Sequence, residues 1–123
     1  GAARIALGTD IPAVFSNNES EGMRLCKLSA SMGDPLWLMP LYEPYRKMLK
    51  SNVADLVNSV EGGMGGAITA ALYLSEFVKQ NKNGNILWFH IDFNAQSPNK
   101  LGKAQGLRSV FEYISRYARN SNE

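Results

Sequence analysis

Apolar and polar side chains alternate most regularly in residues 86–93. A period of two predicts a β-strand, because successive side chains of a strand point to opposite faces of the sheet. One face would carry Leu87, Phe89, Ile91 and Phe93, and the other would carry Trp88, His90 and Asp92.

The last part of the chain has a helical period instead. Its apolar residues recur every three or four positions, which predicts an amphipathic helix. The side chains expected to face the core are Leu107, Val110, Phe111, Ile114 and Tyr117. Those expected to face solvent are Arg108, Glu112, Ser115, Arg116 and Arg119.

Another helix is predicted after Asn17. Asn18 is a favourable N-cap, and Glu21 follows three residues later in the capping-box position. The expected apolar stripe consists of Met23, Cys26 and Ala30, widened by Leu25 and Leu28. The Gly-Asp-Pro sequence at 33–35 ends this helix.

Residues 61–80 form the segment around which the other elements are expected to be arranged. Gly62, Gly63, Gly65 and Gly66 indicate a tight backbone path that larger residues cannot follow. Residues 67–78 are apolar on nearly every side at first, which is typical of a buried helix. Residues 51–58 favour a strand that leads into the glycines, with a helix as the alternative.

Shorter apolar stretches predict the remaining elements. Residues 3–7 and 13–15 are expected to be short strands, and 37–41 an edge segment, because Pro40 cannot donate to a strand ladder. Pro44 is expected at the start of a short helix. Strands that alternate with helices predict an α/β fold, and the length of 123 residues suits one domain.

Composition and charge exclude several classes of protein. The 13 basic and 11 acidic residues give a net charge of +2, which is too small for a nucleic-acid binder. The single cysteine, Cys26, cannot form an internal disulfide, and no apolar run approaches the length of a membrane span. We therefore expect a soluble, intracellular protein that binds neither nucleic acid nor membranes.

Few residues suggest chemistry by themselves. The glycines resemble a phosphate-binding loop, but Ala67 stands where such a loop needs its lysine, so a turn with a structural role is favoured over a nucleotide site. His90 and Asp92 share a strand face, yet two ligands do not make a metal site, and His90 is the only histidine. Cys26 is interpreted as apolar filler.

Five motifs, taken in order, give a more specific indication. They are G-D-P-L-W-x-M-P-L at 33–41, K-S-x-x-A-D-L at 50–56, G-G-M-G-G-A-I-T-A-A-L-Y-L at 62–74, W-F-H-I-D at 88–92 and A-Q-G-L-R at 104–108. Together they resemble the C-terminal part of the catalytic domain of the leucyl, or cytosol, aminopeptidase family. The resemblance covers residues 1–123.

The resemblance implies part of a mixed β-sheet flanked by helices, similar to zinc-dependent exopeptidases. It also implies a cytoplasmic hexamer that releases N-terminal amino acids from peptides with two bridged divalent metals, zinc or manganese. The family's metal ligands include a glutamate in the sequence N-T-D-A-E-G-R, which does not occur here. We therefore expect neither catalytic residues nor a metal cofactor in this chain.

The substrate-binding positions that the resemblance carries over are few. Gly1 matches the end of a segment whose backbone lines the substrate cleft. Ser59, Asn94, Ala95 and Ser97 match positions that wall the pocket for the first side chain of the peptide.

Two interpretations of function follow. In the first, the chain is the C-terminal portion of a metal-dependent leucyl aminopeptidase and contributes pocket wall and oligomer contacts. In the alternative, it is a non-catalytic protein, either a stand-alone remnant or a split subunit that completes a separate N-terminal half. A nucleotide-binding module ranks third.

Overall fold

The computed structural model of the protein describes residues 1–50, 64–78, 80–81, 84–93 and 104–120. The helices are α1 (Arg4–Leu7), α2 (Glu19–Ser31), a 3-10 helix (Glu43–Leu49), α3 (Gly66–Ser75) and α4 (Leu107–Asn120). The strands are β1 (Ala13–Ser16), β2 (Trp37–Leu38), β3 (Gln80–Asn81), β4 (Gly84–Asn85) and β5 (Phe89–Asp92). None of the helices within these ranges is long and apolar enough to cross a membrane.

β1 is the central strand of a mixed three-stranded sheet with the order β2-β1-β5. β2 runs parallel to β1, with Trp37 opposite Ala13. β5 runs antiparallel to β1, with Asp92 opposite Ala13 and His90 opposite Phe15. The prediction of a mixed sheet flanked by helices is therefore confirmed. β3 and β4 form a separate antiparallel pair.

Both faces of β1 are buried under helices. Ala13 and Phe15 pack on one side in an apolar cluster with Ala3, Ala67 and Ala71, which belong to the start of α1 and to α3. Val14 packs in a second cluster with Leu25, Leu28, Leu36 and Tyr113, which brings α2 and α4 onto the opposite side. Apolar residues on both faces fit a strand that lies between two layers of helices.

Several elements begin and end where the sequence indicates. The Asn18 Oδ1 accepts a hydrogen bond from the Glu21 N–H at 3.1 Å, so the predicted N-cap of α2 is confirmed. Gly33, just after α2, has a φ of 64°. The helix at Pro44 also forms, although its turns are of the tighter 3-10 type.

The buried face of α2 differs from the prediction. Gly22 and Ser29 are buried together with Leu25 and Leu28, whereas Met23 is 45% exposed. A Cβ placed on Gly22 would lie 2.7 Å from a Leu38 methyl group. The face of α2 that contains Gly22 therefore lies against β2. The predicted stripe of Met23, Cys26 and Ala30 is turned away from the core as a result, so that Ala30 is exposed and Cys26 is only half-buried.

The predicted strand at residues 3–7 is wrong, because this segment forms the short helix α1. The Leu7 N–H donates to the Ala3 carbonyl at 2.9 Å, and Ile5 is 94% exposed. The N–H of Ala3 donates to the Asp92 carboxylate rather than to a neighbouring strand.

The strand predicted for residues 86–93 is shorter than expected and covers only Phe89–Asp92. Before Phe89, the side chain of Asn17 forms the hydrogen bonds that a neighbouring strand would otherwise form. Its Nδ2 donates to the Ile86 carbonyl at 2.7 Å, and its Oδ1 accepts from the Trp88 N–H at 2.9 Å. The reason is that β1 ends at Ser16, so residues 86–88 have no partner strand there.

The glycine segment is described only from residue 64 onward. Gly65 has a φ of 67° and precedes α3, as expected for a turn that favours glycine. Ala67, Thr69, Ala71 and Leu72 are buried, but Leu74 is 42% exposed, so α3 is not buried on every side. The prediction of a strand at 51–58 and of Gly62 and Gly63 in the turn lies outside the described residues.

α4 confirms the last predicted helix but not its buried face. Its buried residues are Ser109 and Tyr113, whereas Leu107, Phe111 and Ile114 are 64%, 70% and 60% exposed. The Tyr113 hydroxyl donates to the Glu21 carboxylate of α2. Polar contacts therefore fix the orientation of α4 and leave much of its predicted apolar face outward.

Candidate functional site

Gly1, which the resemblance places at the substrate cleft, lies beside the end of β5. The nitrogen of Gly1 donates to Asp92 Oδ1, and the Ala3 N–H donates to Asp92 Oδ2 at 2.9 Å. Asp92 is 8% exposed and Gly1 is exposed. A buried carboxylate thus joins the last residue of β5 to the backbone that leads into α1.

The electrostatics of Asp92 agree with this geometry. Burial by itself raises the pKa of the Asp92 carboxyl, but the donors at Gly1 and Ala3 and the charges of the Gly1 amine and His90 outweigh it. The net pKa lies below the usual range, so the carboxylate is ionised at neutral pH. It acts here as an acceptor for backbone donors and not as a proton source.

His90 lies in a stack of rings. Its imidazole lies 5.8 Å from the Phe15 ring and 6.1 Å from the Trp88 ring, centroid to centroid, with interplanar angles of 29° and 11°. Burial lowers the pKa of His90 more than the neighbouring Asp92 raises it. The imidazole is therefore neutral at pH 7 and lies half-buried against aromatic rings.

The metals implied by the resemblance require a cluster of oxygen or nitrogen ligands. Within the described ranges, no group of three or more histidine, cysteine, aspartate or glutamate side chains could hold a metal ion. The Asp92 Oδ2 already accepts the Ala3 N–H, and its Oδ1 accepts the terminal ammonium of Gly1. The described residues therefore do not fit the family's metal pair.

The other predicted binding residues lie outside the described part of the chain. They are Ser59, Asn94, Ala95 and Ser97. Asn94 is two residues after Asp92, so the predicted pocket wall begins shortly after β5 in sequence. The role of these four residues in substrate binding stays a prediction, and so does the alternative of a nucleotide site at the glycine segment.

Cys26 is half-buried, and burial raises the pKa of its thiol. A raised pKa keeps the thiol protonated and poorly nucleophilic. This agrees with the interpretation of Cys26 as packing.

A second buried carboxylate was not singled out by the sequence. Asp34 accepts hydrogen bonds from the Gly106 N–H at 2.8 Å, the Ser109 N–H at 3.1 Å and the Ser109 hydroxyl at 3.0 Å. These donors lie at the beginning of α4, so Asp34 caps that helix from a distant segment. The sequence signal for it is an aspartate in a Gly-Asp-Pro turn, but nothing in that turn names its partner.

Residues 1–111 match the family described as "Cytosol aminopeptidase family, catalytic domain". Leucine aminopeptidase 1 of Arabidopsis thaliana is 37% identical over 119 residues, covering 94% of this chain and 22% of the relative. A probable cytosol aminopeptidase of Synechococcus is 46% identical over 126 residues, covering 96% of this chain and 24% of the relative. The chain thus spans between a fifth and a quarter of the length of these relatives.

Solved structures give the same result. The cytosol aminopeptidase of Coxiella burnetii superposes with a TM-score of 0.81 at 47% identity, covering 94% of this chain and 26% of that one. A variant of tomato leucine aminopeptidase superposes with a TM-score of 0.78 at 33% identity, covering 94% of this chain and 23% of that one. The chain therefore belongs to the cytosol aminopeptidase family, whose members are metal-dependent aminopeptidases.

Proposed function

We propose that this chain supplies the C-terminal part of the catalytic domain of a metal-dependent leucyl aminopeptidase, which releases N-terminal amino acids from peptides. The observation that carries the proposal is the family match over residues 1–111 in a chain that spans 20–24% of its relatives' length. In this proposal the catalytic groups and metal ligands come from outside the chain.

The surface of α4 supports a role inside a larger body. Leu107, Phe111 and Ile114 recur at helical spacing and are all at least 60% exposed. Large apolar side chains grouped on one face of a helix are normally covered by other protein. We therefore assign this face to contacts with the remaining catalytic domain or with neighbouring subunits of a homo-oligomer, a hexamer as in the family.

The proposed contribution to catalysis is the binding of the peptide's first residue. Gly1 lies beside the buried end of β5, and Asn94, Ala95 and Ser97 follow this strand in sequence. Together with Ser59 these residues would wall the pocket. The chain would thus select and orient the substrate, in the cytoplasm, while groups outside it perform the hydrolysis.

A chimera tests this proposal. Residues 1–111 of this chain, the range that matches the family, replace the corresponding segment of the Coxiella burnetii aminopeptidase, which is similar in fold and sequence. We expect the chimera to hydrolyse a leucyl amide with added manganese, whereas the 123-residue chain alone should not. A folded chimera without activity overturns the proposed contribution, and metal-dependent turnover by the repurified chain alone overturns the placement of the catalytic groups.

The alternative of a split subunit needs a different measurement. An antibody against α4 would recover the protein from its native cell for an intact mass. A mass well above 13.5 kDa supports a longer aminopeptidase. A mass equal to it, with copurification of a chain that carries the metal ligands, supports the split subunit.

A further inference from the structure

α4 has a second, apolar face on the side away from the core. Its buried residues, Ser109 and Tyr113, form hydrogen bonds with Asp34 and with α2. The outward face, called the α4 seam below, consists of four exposed apolar residues spaced four, three and four positions apart: Leu107, Phe111, Ile114 and Ala118. This spacing is the one with which a helix packs lengthwise against another helix.

The α4 seam is complementary to itself. Its spacing is the same in both directions along the helix, so two antiparallel copies related by a two-fold axis place their seams in register. In that register Leu107 lies opposite Ala118 of the second copy, and Phe111 lies opposite Ile114. Each layer therefore opposes a larger side chain to a smaller one, which favours interdigitation.

The positions that flank the seam also suit a second copy. In an antiparallel pair the same flank of both helices meets, so the flanking residues are brought together as Arg108 with Ser115 and as Val110 with Tyr117. No like charges oppose each other at these positions, and one flank is apolar. A second copy therefore meets no electrostatic barrier along the seam.

The remaining charges of the helix do not call for an acidic partner. Arg116 and Arg119 both pair with Glu112 of the same helix, at 2.8 and 3.6 Å. An Arg108 nitrogen lies 3.5 Å from the Gly33 carbonyl of its own chain. The charge pattern thus favours a second copy of α4 over a helix rich in carboxylates.

We propose that the α4 seam is the contact surface of a symmetric dimer of this chain, in which two α4 helices pack antiparallel. The proposal narrows the outward contacts of α4 to a second copy. It concerns association alone and does not rest on aminopeptidase activity. The seam is short, so the dimer belongs with small, transient interfaces and dissociates on dilution.

Sedimentation equilibrium of the 123-residue chain tests the dimer. At high concentration the wild type should approach twice its mass of 13.5 kDa. Phe111→Glu should raise the dimer Kd at least about tenfold, because it buries an unpaired carboxylate in the seam. Phe77→Glu is the matched control, since Phe77 is 64% exposed against 70% for Phe111 but lies after α3, and it should change the Kd less than about twofold.

Circular dichroism shows that both variants keep the wild-type helix content, which is expected because both phenylalanines are exposed in the single chain. A wild-type chain that stays monomeric overturns the inference and leaves the remaining catalytic domain as the partner of this face. Equal effects of Phe111→Glu and Phe77→Glu also overturn it, because they would place the contact elsewhere.

Disulfide cross-linking tests the antiparallel register. Cys26→Ser removes the only cysteine, and Leu107→Cys with Ala118→Cys are then introduced in one chain. These two positions are about 16 Å apart along one helix, too far for a disulfide within the chain. Mild oxidation should therefore give a covalent dimer linked between 107 and 118, whereas Leu107→Cys alone should give little. An efficient link between 107 and 107 would indicate a parallel pair and overturn the inference.

Discussion

Replacing Asp34 with asparagine should lower the free energy of unfolding by about 2–4 kcal/mol. Asp34 accepts three hydrogen bonds through its carboxylate, and a bond to a charged group contributes roughly 1.5–3 kcal/mol. Asparagine keeps one acceptor oxygen and turns an NH2 group toward a buried donor. One or two charged bonds are therefore lost, which spans about 1.5–6 kcal/mol, and the expected loss lies in the lower part of that range because asparagine still accepts one bond.

The assay is urea unfolding of the purified chain, followed by circular dichroism and by tryptophan fluorescence. Asp10→Asn is the control, because Asp10 is exposed. Among the described residues, its carboxylate accepts only one weak hydrogen bond, from the neighbouring Thr9 hydroxyl at 3.3 Å. Ser109→Ala, combined with D34N in a double-mutant cycle, should give a coupling energy of about 1 kcal/mol or more. A loss below about 0.5 kcal/mol for D34N, equal to that of D10N, would refute the capping role.

Three further predictions use similar measurements. Gly22→Ala should be less favourable than Gly66→Ala by about 1 kcal/mol in urea unfolding. Both gain helix propensity, but a Cβ at 22 would lie 2.7 Å from a Leu38 methyl group, which must shift, whereas Gly66 meets open space in the first turn of α3. Arg46→Ala should cost about 1 kcal/mol, and less in 1 M salt, because its partner carboxylates in the 3-10 helix and after α3 are partly exposed. The pKa values of the Asp34 and Asp92 carboxyls are lowered in the folded state. Their ionised forms therefore stabilise the fold fully above the unfolded-state pKa of about 3.9, and this stabilisation should be lost as the pH falls below that value. Urea unfolding at stepwise lower pH measures the loss, and a free energy of unfolding that does not change with pH would contradict the prediction.

Features determined by neighbouring residues could be predicted from the sequence. Asn18 caps α2 through Glu21, three residues away. Gly33 follows the end of that helix in the left-handed region. The central part of the strand at 86–93 also formed, because period-two alternation is itself a local property.

Features determined by distant partners could not be predicted from the sequence. The length of β5 depends on Asn17, whose amide bonds the main chain of residues 86 and 88. The orientation of α4 depends on contacts of Ser109 with Asp34 and of Tyr113 with Glu21. The apolar stripe of α4 indicated correctly that a helix forms, but a stripe does not say whether this chain or another part of a larger protein covers it.

The two buried aspartates explain why the motifs of the resemblance contain so little evident chemistry. Asp34, from the motif at 33–41, bonds Gly106 in the motif at 104–108, and Asp92 closes the motif at 88–92 by bonding Gly1 and Ala3. Both carboxylates join segments more than 70 residues apart and accept buried N–H groups, those of Ala3, Gly106 and Ser109, that would otherwise have no partner. These motifs therefore specify how the parts of the fold meet.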